Sequence, residues 1–375
     1  MSLSSVSASP SDRIALIGAG CASLSLAHYL KHYQPERTDI TFYGEVSPAL
    51  TASHFWGFWQ MSWLDEPARI SRKSWQKWQF ASDKGIITHQ SARHPYHALP
   101  SDSWLSHCGG HQTRPLPELT GLQTSHKGPV FDSRPPQLPA RPMLQHFIGQ
   151  HVRTPQPCFK PDTAILMDFR CSQEQGIHFI YLLPFSETEA LVESTLFSHQ
   201  LVKDSFYRNA ISGYMAEIMG QPDMTVLSEE RGIVPMCSTR PHDPAFLGIG
   251  ANGGCLRPSS GYAFSFIQKQ AQTLAHKLSQ GQSFTDKSQV PKAHRHVDLW
   301  MDRVFLSVLT AHPQQAPDLF MKMAAALNGD GFARFMSGCA YISDYLRVIA
   351  AMPKTIFMTH ALRHMKGSTD DIWPR

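Results

Sequence analysis

The chain has few of the features that mark secreted, membrane-spanning or nucleic-acid-binding proteins. Its seven cysteines form no CxxC pair, and an odd number without paired spacing is typical of reduced thiols in the cytoplasm. No apolar run is long enough to cross a bilayer. Residues 1–12 lack the apolar core of a signal peptide, so we expect a disordered leader. A net charge of +4, from 34 basic and 30 acidic residues, predicts no nucleic-acid partner.

The chain does have enough apolar residues for a large core, and it opens on a pattern that predicts an anion site. With 375 residues, 42% of them hydrophobic, it can form two closely joined subdomains. Ile14–Ile17 predicts a buried strand, Gly18 and Gly20 a turn, and Cys21–Leu30 a helix. The N–H groups at the start of such a helix, together with its dipole, favour a pyrophosphate. Ser23 stands where the third glycine of a GxGxxG motif would be, and it is small enough for close packing.

The next strand gives a less regular signal. Asp39–Tyr43 follows at the distance expected for a dinucleotide-binding unit, whose second strand ends in an acid for the ribose. Gly44 stands at that position here, and Glu45 comes one residue late. We expect Glu45 to reach the ribose if the strand ends in a kink.

Two further segments predict side chains at the same ligand crevice. Pro129–Pro135 predicts a strand that ends in Asp132, followed by Arg134; the pair either points into the crevice or forms a surface ion pair. Phe246–Tyr262 predicts a second strand and glycine-rich loop, and the helix expected from Tyr262 to Ser279 can also face a phosphate or the polar edge of a flavin.

The middle of the chain predicts an antiparallel sheet. Four strands joined by short links are expected at 144–151, 163–170, 177–184 and 189–197, and a further strand at 229–236. Glu193 lies inside the fourth. Alternation along that strand favours an exposed carboxylate, whereas burial would raise its pKa.

Other segments leave alternatives open. The aromatic run 46–63 predicts a loop that is either part of the core or the wall of an apolar or flavin pocket. The helices expected at 297–311, 317–327 and 342–363 either cap the core or lie on a membrane. His28 and His32 have metal-ligand spacing, but no third ligand matches them, so we expect a solvated helix face and no metal.

Taken together and in order, several stretches resemble the bacterial lycopene β-cyclases, flavoproteins related to the plant lycopene cyclases. Any one of these motifs is weak evidence, whereas the ordered set from residue 13 to about 280 is specific. The stretches that carry the resemblance are GAGCAS (18–23), SHFWGF (53–58), VFDSRP (130–135), FIGQ (147–150), MDF (167–169), YLLPFSETEALVEST (181–195), EERGIVP (229–235) and RPSSGY (257–262).

The resemblance implies a redox-neutral isomerase. A general acid would protonate the ψ-end group of lycopene or a related acyclic carotenoid, and the cation would close to a β-ring. Glu193 matches the family's essential glutamate, which replaces the exposed interpretation with a buried acid; Glu229 or Glu230 would support it. FAD, kept reduced by NAD(P)H, would be the cofactor, and a peripheral membrane surface would supply the substrate. The implied cofactor-binding residues are Gly18, Gly20, Ser23, Glu45, Asp132, Gly254, Ser260 and Gly261, and the implied pocket residues are His54, Trp56 and Phe58.

The resemblance also implies the fold. We expect an α/β protein with a Rossmann-type FAD-binding domain (13–140 and 225–285), an inserted antiparallel-sheet substrate subdomain (141–224) and a helical C-terminal region (286–375). Pro135 replaces a family glycine, and residues 105–128 form a shorter stretch than the family's. A flavin-dependent oxidoreductase on another polyene or isoprenoid, and a non-catalytic isoprenoid-binding protein, remain alternatives.

Overall fold

The computed structural model describes residues 13–37, 39–44 and 54–366. The expected leader at 1–12 and Glu45 lie outside the described residues. The strands, in chain order, are β1 (Ile14–Ile17), β2 (Ile40–Tyr43), β3 (Phe55–Trp59), β4 (Lys73–Trp75), β5 (Lys77–Ser82), β6 (Gly85–Gln90), β7 (Tyr96–Pro100), β8 (Thr113–Arg114), β9 (Val130–Asp132), β10 (Met143–Arg153), β11 (Thr163–Asp168), β12 (Ile177–Pro184), β13 (Glu189–Ser198), β14 (Thr225–Met236) and β15 (Leu247–Gly248).

The helices follow the same order. They are α1 (Cys21–Tyr33), α2 (Asp65–Arg69), α3 (Ser101–His107), α4 (Leu119–Ser125), α5 (Asp204–Glu217), α6 (Phe264–Ser279), α7 (His296–Ala311), α8 (Ala316–Ala325), α9 (Gly329–Met336), α10 (Ile342–Ala351) and α11 (Lys354–Lys366).

One sheet is wholly parallel and confirms the predicted α/β class. Its described strands lie in the order β15-β9-β1-β2-β8, and every neighbouring pair is parallel. All four residues of β1 are buried, as expected for a strand that is covered on both faces. α1 connects β1 to β2 and packs against α6, with the Tyr29 hydroxyl donating to Gln268 Oε1 at 3.1 Å. The carboxyl ends of these strands therefore meet at one edge, next to the start of α1.

The second sheet is mixed and larger than the sequence predicts. Its described order is β14-β10-β13-β12-β11-β5-β6, antiparallel except where β5 lies beside β11. Residues 225–236, placed by sequence in the dinucleotide domain, pair with β10 here, and the hairpin 77–90 joins the other side. The predicted boundaries between the dinucleotide domain and the inserted sheet, at residues 140 and 225, therefore differ from the observed strand pairing. Local sequence patterns do not reveal which distant strands pair.

A third, small sheet corrects the interpretation of the aromatic run. Phe55–Trp59 is not a loop but a strand, paired antiparallel with β7, which also pairs with β4. The order of this sheet is β3-β7-β4. Both faces of β3 are at least partly covered, so the alternation that would indicate a strand is missing from its sequence.

The C-terminal region is helical, as predicted, with two differences. α9 has no predicted counterpart, and the helix expected over 342–363 is two helices, because Pro353 stands between α10 and α11 and a proline cannot continue a helix. One face of α10 buries Tyr345 and Val348, while Ile342 and Leu346 are exposed. In the part of the chain that the structure describes, no helix has the length and apolar character needed to cross a bilayer.

Candidate active site

The centre of the large sheet brings two glutamates together across one strand. β10 lies between β13 and β14, and its Gly149 is directly opposite Glu193 on β13 and Glu230 on β14. Residues that are directly opposite one another in neighbouring strands share a face of the sheet. Strand register therefore places both carboxyl groups on the same face, on either side of a residue without a side chain.

Gly149 leaves the space into which the two acids extend. A Cβ atom at this position would lie 3.1 Å from Cγ of Glu193 and 3.1 Å from Cγ of Glu230. The glycine is therefore the residue that lets both side chains approach the same point. It belongs to the FIGQ segment, to which the sequence analysis assigned no role.

Both carboxyl groups are held in a site that favours the neutral form. Glu193 is 8% exposed and accepts a hydrogen bond from Thr195 Oγ1 at 2.9 Å; Glu230 Oε2 accepts one from the Phe55 N–H at 3.2 Å. Burial raises the pKa of Glu193 to about 7. Burial, reinforced by the charge of Glu193, raises the pKa of Glu230 to about 9. Between these values the pair holds one proton, which belongs to both groups.

The exposed position that alternation favours for Glu193 is therefore wrong. β13 is covered on both faces: Val192 packs with Ile211 of α5, while Leu191, on the face of Glu193, joins the main core. Alternation indicates exposure only where one face of a sheet meets water. A strand with two covered faces can direct a carboxyl group into the interior.

Three tyrosines lie beside the acid pair. Tyr181 on β12 is directly opposite Glu193, and the Tyr96 hydroxyl lies 3.0 Å from that of Tyr181 and 2.9 Å from that of Tyr262. Burial raises the pKa of each phenol well above its usual value, so all three stay neutral. Tyr181 and Tyr262 fall within quoted motifs, but Tyr96 lies on a segment that the sequence left unassigned.

A cavity of about 250 Å³ borders Glu230 and Gly149. Polar side chains predominate in its lining, which comprises Phe55, Arg72, Pro100, Asp102, Ser103, Gly149, His151, Leu191, Ser228 and Glu230. Glu189 binds His151 Nε2 at 2.7 Å and also pairs with Arg72, whose guanidinium carbon lies 4.0 Å from the centre of the Phe185 ring. Water and protons can therefore reach Glu230 from this side.

Glu229 lies apart from the pair. Neighbouring residues of a strand point to opposite faces, and Glu229 forms an exposed ion pair with Arg208, with Oε1 to Nη2 at 2.6 Å and Oε2 to Nε at 2.8 Å. The guanidinium lowers the pKa of Glu229 to about 2. The sequence could not distinguish the two acids, but only Glu230 lies beside Glu193. The supporting role predicted for Glu229 is wrong, because Glu229 is an ionised surface residue paired with Arg208.

The predicted pocket residues are dispersed around the small sheet. His54 bonds Ser101, Trp56 stacks on Phe264 with ring centres 4.7 Å apart, and Phe58 stacks on His97 at 5.2 Å. Phe55, which was not selected, is the member of this run that lines the cavity beside Glu230. Strand alternation separates Phe55 from Trp56, and a loop interpretation of the run cannot reveal that.

The predicted anion site has the expected backbone. Gly18 has a φ of +89°, and Gly20 precedes α1 without any side-chain cap, with open space where a Cβ would be. Ser23 Oγ donates to Ser133 Oγ at 2.9 Å, which ties the helix start to the end of β9. Uncapped N–H groups that face open space suit a pyrophosphate.

Asp132 supports the neighbouring turn. It is fully buried and accepts from Arg134 Nε at 2.9 Å and Nη2 at 2.8 Å, which excludes the surface ion pair. Its carbonyl accepts from the Ile249 N–H and from Asn252 Nδ2. Asp132 therefore joins the two glycine-rich turns at the sheet edge.

The second glycine-rich turn leaves polar atoms unpaired. Gly254 and Gly261 have φ of +78° and +68°. Ser260 Oγ and Gln145 Oε1 are buried without a hydrogen-bond partner among the described residues, and a Cβ at Gly261 would lie 2.9 Å from Gln145 Oε1. Buried polar groups normally have partners, so these atoms suit the polar edge of a ligand. Together with the uncapped start of α1, the residues present fit a flavin dinucleotide.

We expect Gly149→Ala to destabilise the protein by about 1–3 kcal/mol, because the added methyl group must displace both glutamate side chains. Gly213→Ala is the matched control: Gly213 lies in α5 with nothing near its Cβ position, so alanine there should stabilise by about 1 kcal/mol. Urea unfolding measures both. An unchanged or raised stability of Gly149→Ala would mean that the acid pair does not occupy this space.

Comparison with known proteins agrees with the motifs. The sequence model of the family described as lycopene cyclase protein matches residues 122–362. Lycopene beta-cyclase of Pantoea ananas is 29% identical over 223 residues, which are 56% of this chain and 56% of that protein. Lycopene beta-cyclase of Paracoccus sp. (strain N81106 / MBIC 01143) is 29% identical over 244 residues, which are 60% of this chain and 61% of that protein. The chain thus spans less than two thirds of these two relatives.

Among solved structures, the flavin-dependent brominase Bmp2 has a similar fold. Its TM-score is 0.55 at 11% identity, covering 90% of this chain and 97% of the brominase. At this identity the likeness concerns the fold, and it confirms the Rossmann-like architecture. The family match covers more than half of the chain. The chain therefore belongs to the lycopene cyclase family.

Proposed function

We propose that this protein is a flavin-dependent isomerase that cyclises the ψ-end groups of lycopene, or of a related acyclic carotenoid, to β-rings without net redox change. The observation that carries the proposal is the buried pair Glu193 and Glu230 on either side of Gly149, where burial raises the pKa of both carboxyl groups. Cyclisation by protonation needs one carboxyl group that gives a proton and one carboxylate that takes a proton away. A pair that is singly protonated near neutral pH supplies both.

Glu193 is assigned as the proton donor and Glu230 as the acceptor. The donor's proton goes to the terminal double bond, a neighbouring double bond attacks the resulting cation, and a six-membered ring closes. The cyclic cation then loses a proton to the carboxylate, so that atoms and charge balance. Glu193 is the more deeply buried acid, whereas Glu230 borders the polar cavity and can exchange its proton with water. Glu230 has the higher pKa and therefore holds the shared proton at rest; because both groups flank Gly149, the proton passes to Glu193 before it is donated.

The surrounding residues suit a cationic intermediate. The three neutral phenols offer oxygen lone pairs and aromatic faces and carry no proton acidic enough to compete with the glutamates. FAD, kept reduced by NAD(P)H, would supply an electron-rich ring system beside the cation. Gly18, Gly20 and Ser23 would hold its pyrophosphate. Asp132 would support the turn, and Gly254, Ser260 and Gly261 would face the ring system, while the assignment of Glu45 to the ribose stays a prediction.

Expression in cells that accumulate lycopene tests the proposal. We expect β-ringed products by chromatography, and purified protein that binds FAD and turns over many substrate molecules without stoichiometric NAD(P)H consumption. NAD(P)H consumed in step with product would indicate the flavin-dependent oxidoreductase instead. Lycopene left untouched by folded, polyene-binding protein without FAD would indicate a non-catalytic binding protein.

We also propose that the exposed side of α10 rests on an anionic membrane, from which a carotenoid would enter. Ile342 and Leu346 are 78% and 60% exposed, and they lie one turn apart next to the exposed Arg347. Apolar side chains flanked by basic ones suit the interface of an anionic bilayer.

Co-sedimentation with vesicles containing phosphatidylserine tests this surface. The double variant Ile342→Ser/Leu346→Ser is expected to bind about tenfold less than the wild type. Ile86→Ser is the control, because Ile86 is 55% exposed on the β6 hairpin, outside α10. Equal losses in both variants, or none in the double variant, would contradict a specific role for α10.

A further inference from the structure

Outside the acid pair and the dinucleotide turns, three metal-ligating side chains converge on one point. His28 comes from α1, Glu66 from α2 and His107 from α3. Nε2 of His28 lies 2.8 Å from Oε1 of Glu66, and Nε2 of His107 lies 2.8 Å from the same oxygen. All three donor atoms lie within 4.8 Å of one another. Three separate helices thus present their donor atoms to a single small volume.

The sequence analysis assigned His28 to a solvated helix face together with His32, and that interpretation is wrong for His28. Only 18% of its side chain is exposed, whereas His32 is exposed. The missing ligands come from elements 38 and 79 residues further along the chain, which helical spacing cannot reveal.

The two imidazoles are held in place by their surroundings. Trp104 is fully buried, and its indole N–H donates to Ser25 Oγ at 3.0 Å. The His107 ring stacks on Trp104 with centres 5.5 Å apart, and the His28 ring meets it edge-on at 5.6 Å. Glu66 is 27% and His107 36% exposed, so the group is open to solvent on one side. Positioned ligands and one open side are features of metal sites that keep a water ligand.

We propose that His28, Glu66 and His107 bind a divalent transition-metal ion of the zinc class. Two imidazole nitrogens and one carboxylate oxygen are borderline ligands, which favour Zn²⁺ over Mg²⁺ or Ca²⁺. Small movements bring the three donors to about 2.0–2.2 Å from a common ion, and water completes a tetrahedral set. The ion clamps α1, whose first turn forms the anion site, to α2 and α3.

Zinc titration of the metal-stripped full-length protein tests this site, with Zn²⁺ alone as the probe. We expect one Zn²⁺ per chain by elemental analysis, micromolar or tighter affinity by calorimetry, and a Tm about 5 °C higher in excess zinc. Co²⁺ is expected to give the visible absorption of a tetrahedral site. Zinc-free protein with an unchanged Tm would overturn the proposal.

Matched variants separate this site from the other histidines, of which the chain has 20 in all. His107→Ala and Glu66→Gln are expected to weaken zinc binding about 10–100-fold. His32→Ala, one turn further along α1, is expected to bind like the wild type. Glu66→Gln keeps a hydrogen-bond acceptor for both imidazoles, so it gives a result even if His107→Ala does not fold. Zinc binding that falls equally in His32→Ala, or persists in Glu66→Gln, would overturn the assignment.

Discussion

Replacing Glu193 with glutamine is expected to lower the rate of carotenoid cyclisation about 10³-fold, with the fold and FAD content unchanged. Glutamine has the same shape as glutamate and can still accept the hydrogen bond from Thr195 Oγ1, which in the wild type lies 2.9 Å from the carboxyl group. It has no acidic proton to donate. Positioned acid–base groups typically contribute 10²–10⁴-fold to a rate. Initial rates of β-ring formation on purified protein in lipid vesicles measure the loss.

Glu229→Gln is the matched control for this substitution. Glu229 is also a glutamate on the large sheet, but it lies on the other face in an ion pair with Arg208, so we expect activity within about twofold of the wild type. If Glu193→Gln and Glu229→Gln lost activity to the same extent, the effect would not arise from the buried pair. Full activity in Glu193→Gln would remove Glu193 from the chemistry.

Glu230→Gln is expected to lower the rate about 10²-fold and to change the shape of its pH dependence. The wild-type pair is singly protonated between about pH 7 and pH 9, so kcat/KM should be bell-shaped with its maximum between these values. With Glu230 neutralised, the residual rate needs protonated Glu193, and it should be highest below about pH 7 and fall above it. In Glu230→Gln, the fall in rate at low pH should therefore disappear, and the fall in rate at high pH should shift from about pH 9 to about pH 7.

A reversed order of effects would be informative. If Glu230→Gln lost more activity than Glu193→Gln, and Glu193→Gln kept a fall in rate near pH 9, Glu230 would be the donor and Glu193 the acceptor. A pH profile that is the same in the wild type and both variants would contradict the shared proton altogether.

The same pair links stability to pH with a definite sign. Each folded pKa lies above the ordinary value of 4.5, so above that pH the folded protein binds more protons than the unfolded chain. The free energy of unfolding therefore falls as pH rises, by about 1.4 kcal/mol per pH unit for each group until its folded pKa is passed. Glu230→Gln removes one of these losses. It should unfold at a higher temperature than the wild type at pH 9, and the two should converge near pH 5.

The parts of this fold that the sequence predicts are those whose signals are local. Four apolar residues that end at Gly18 specify β1 and its turn, and the structure has the strand at the same residues. Ile177–Pro184 likewise matches its prediction from a short apolar run with turn residues on both sides. The proline that divides α10 from α11 is a local signal as well, although the apolar residues of 342–363 keep helical spacing on both sides of it.

The site itself depends on register between distant strands. Nothing near Glu230 distinguishes it from Glu229, because the pairing of Glu230 with Gly149, 81 positions away, decides which acid turns inward. Tyr96 reaches the site, and the hairpin 77–90 joins the far side of the large sheet, from a stretch with scattered proline, serine and histidine that predicts little. Glu193 was identified as a buried acid from the family resemblance. The alternation of its strand could not identify it, because both faces of β13 are buried.

β14 is the outermost described strand on its side of the large sheet, and much of it is exposed. We therefore expect β14 to dock onto β10 late in folding, after loop closure over a long stretch of chain, and to bring half of the acid pair with it. In that order, the two carboxylates would be separate and hydrated before β14 docks, and their repulsion would not oppose the assembly of β10, β12 and β13. Docking of β14 would then be opposed by the desolvation of Glu230 and by the charge of Glu193. Its backbone amides should exchange with solvent before those of β13, and alkaline pH should loosen β14 before the rest of the fold.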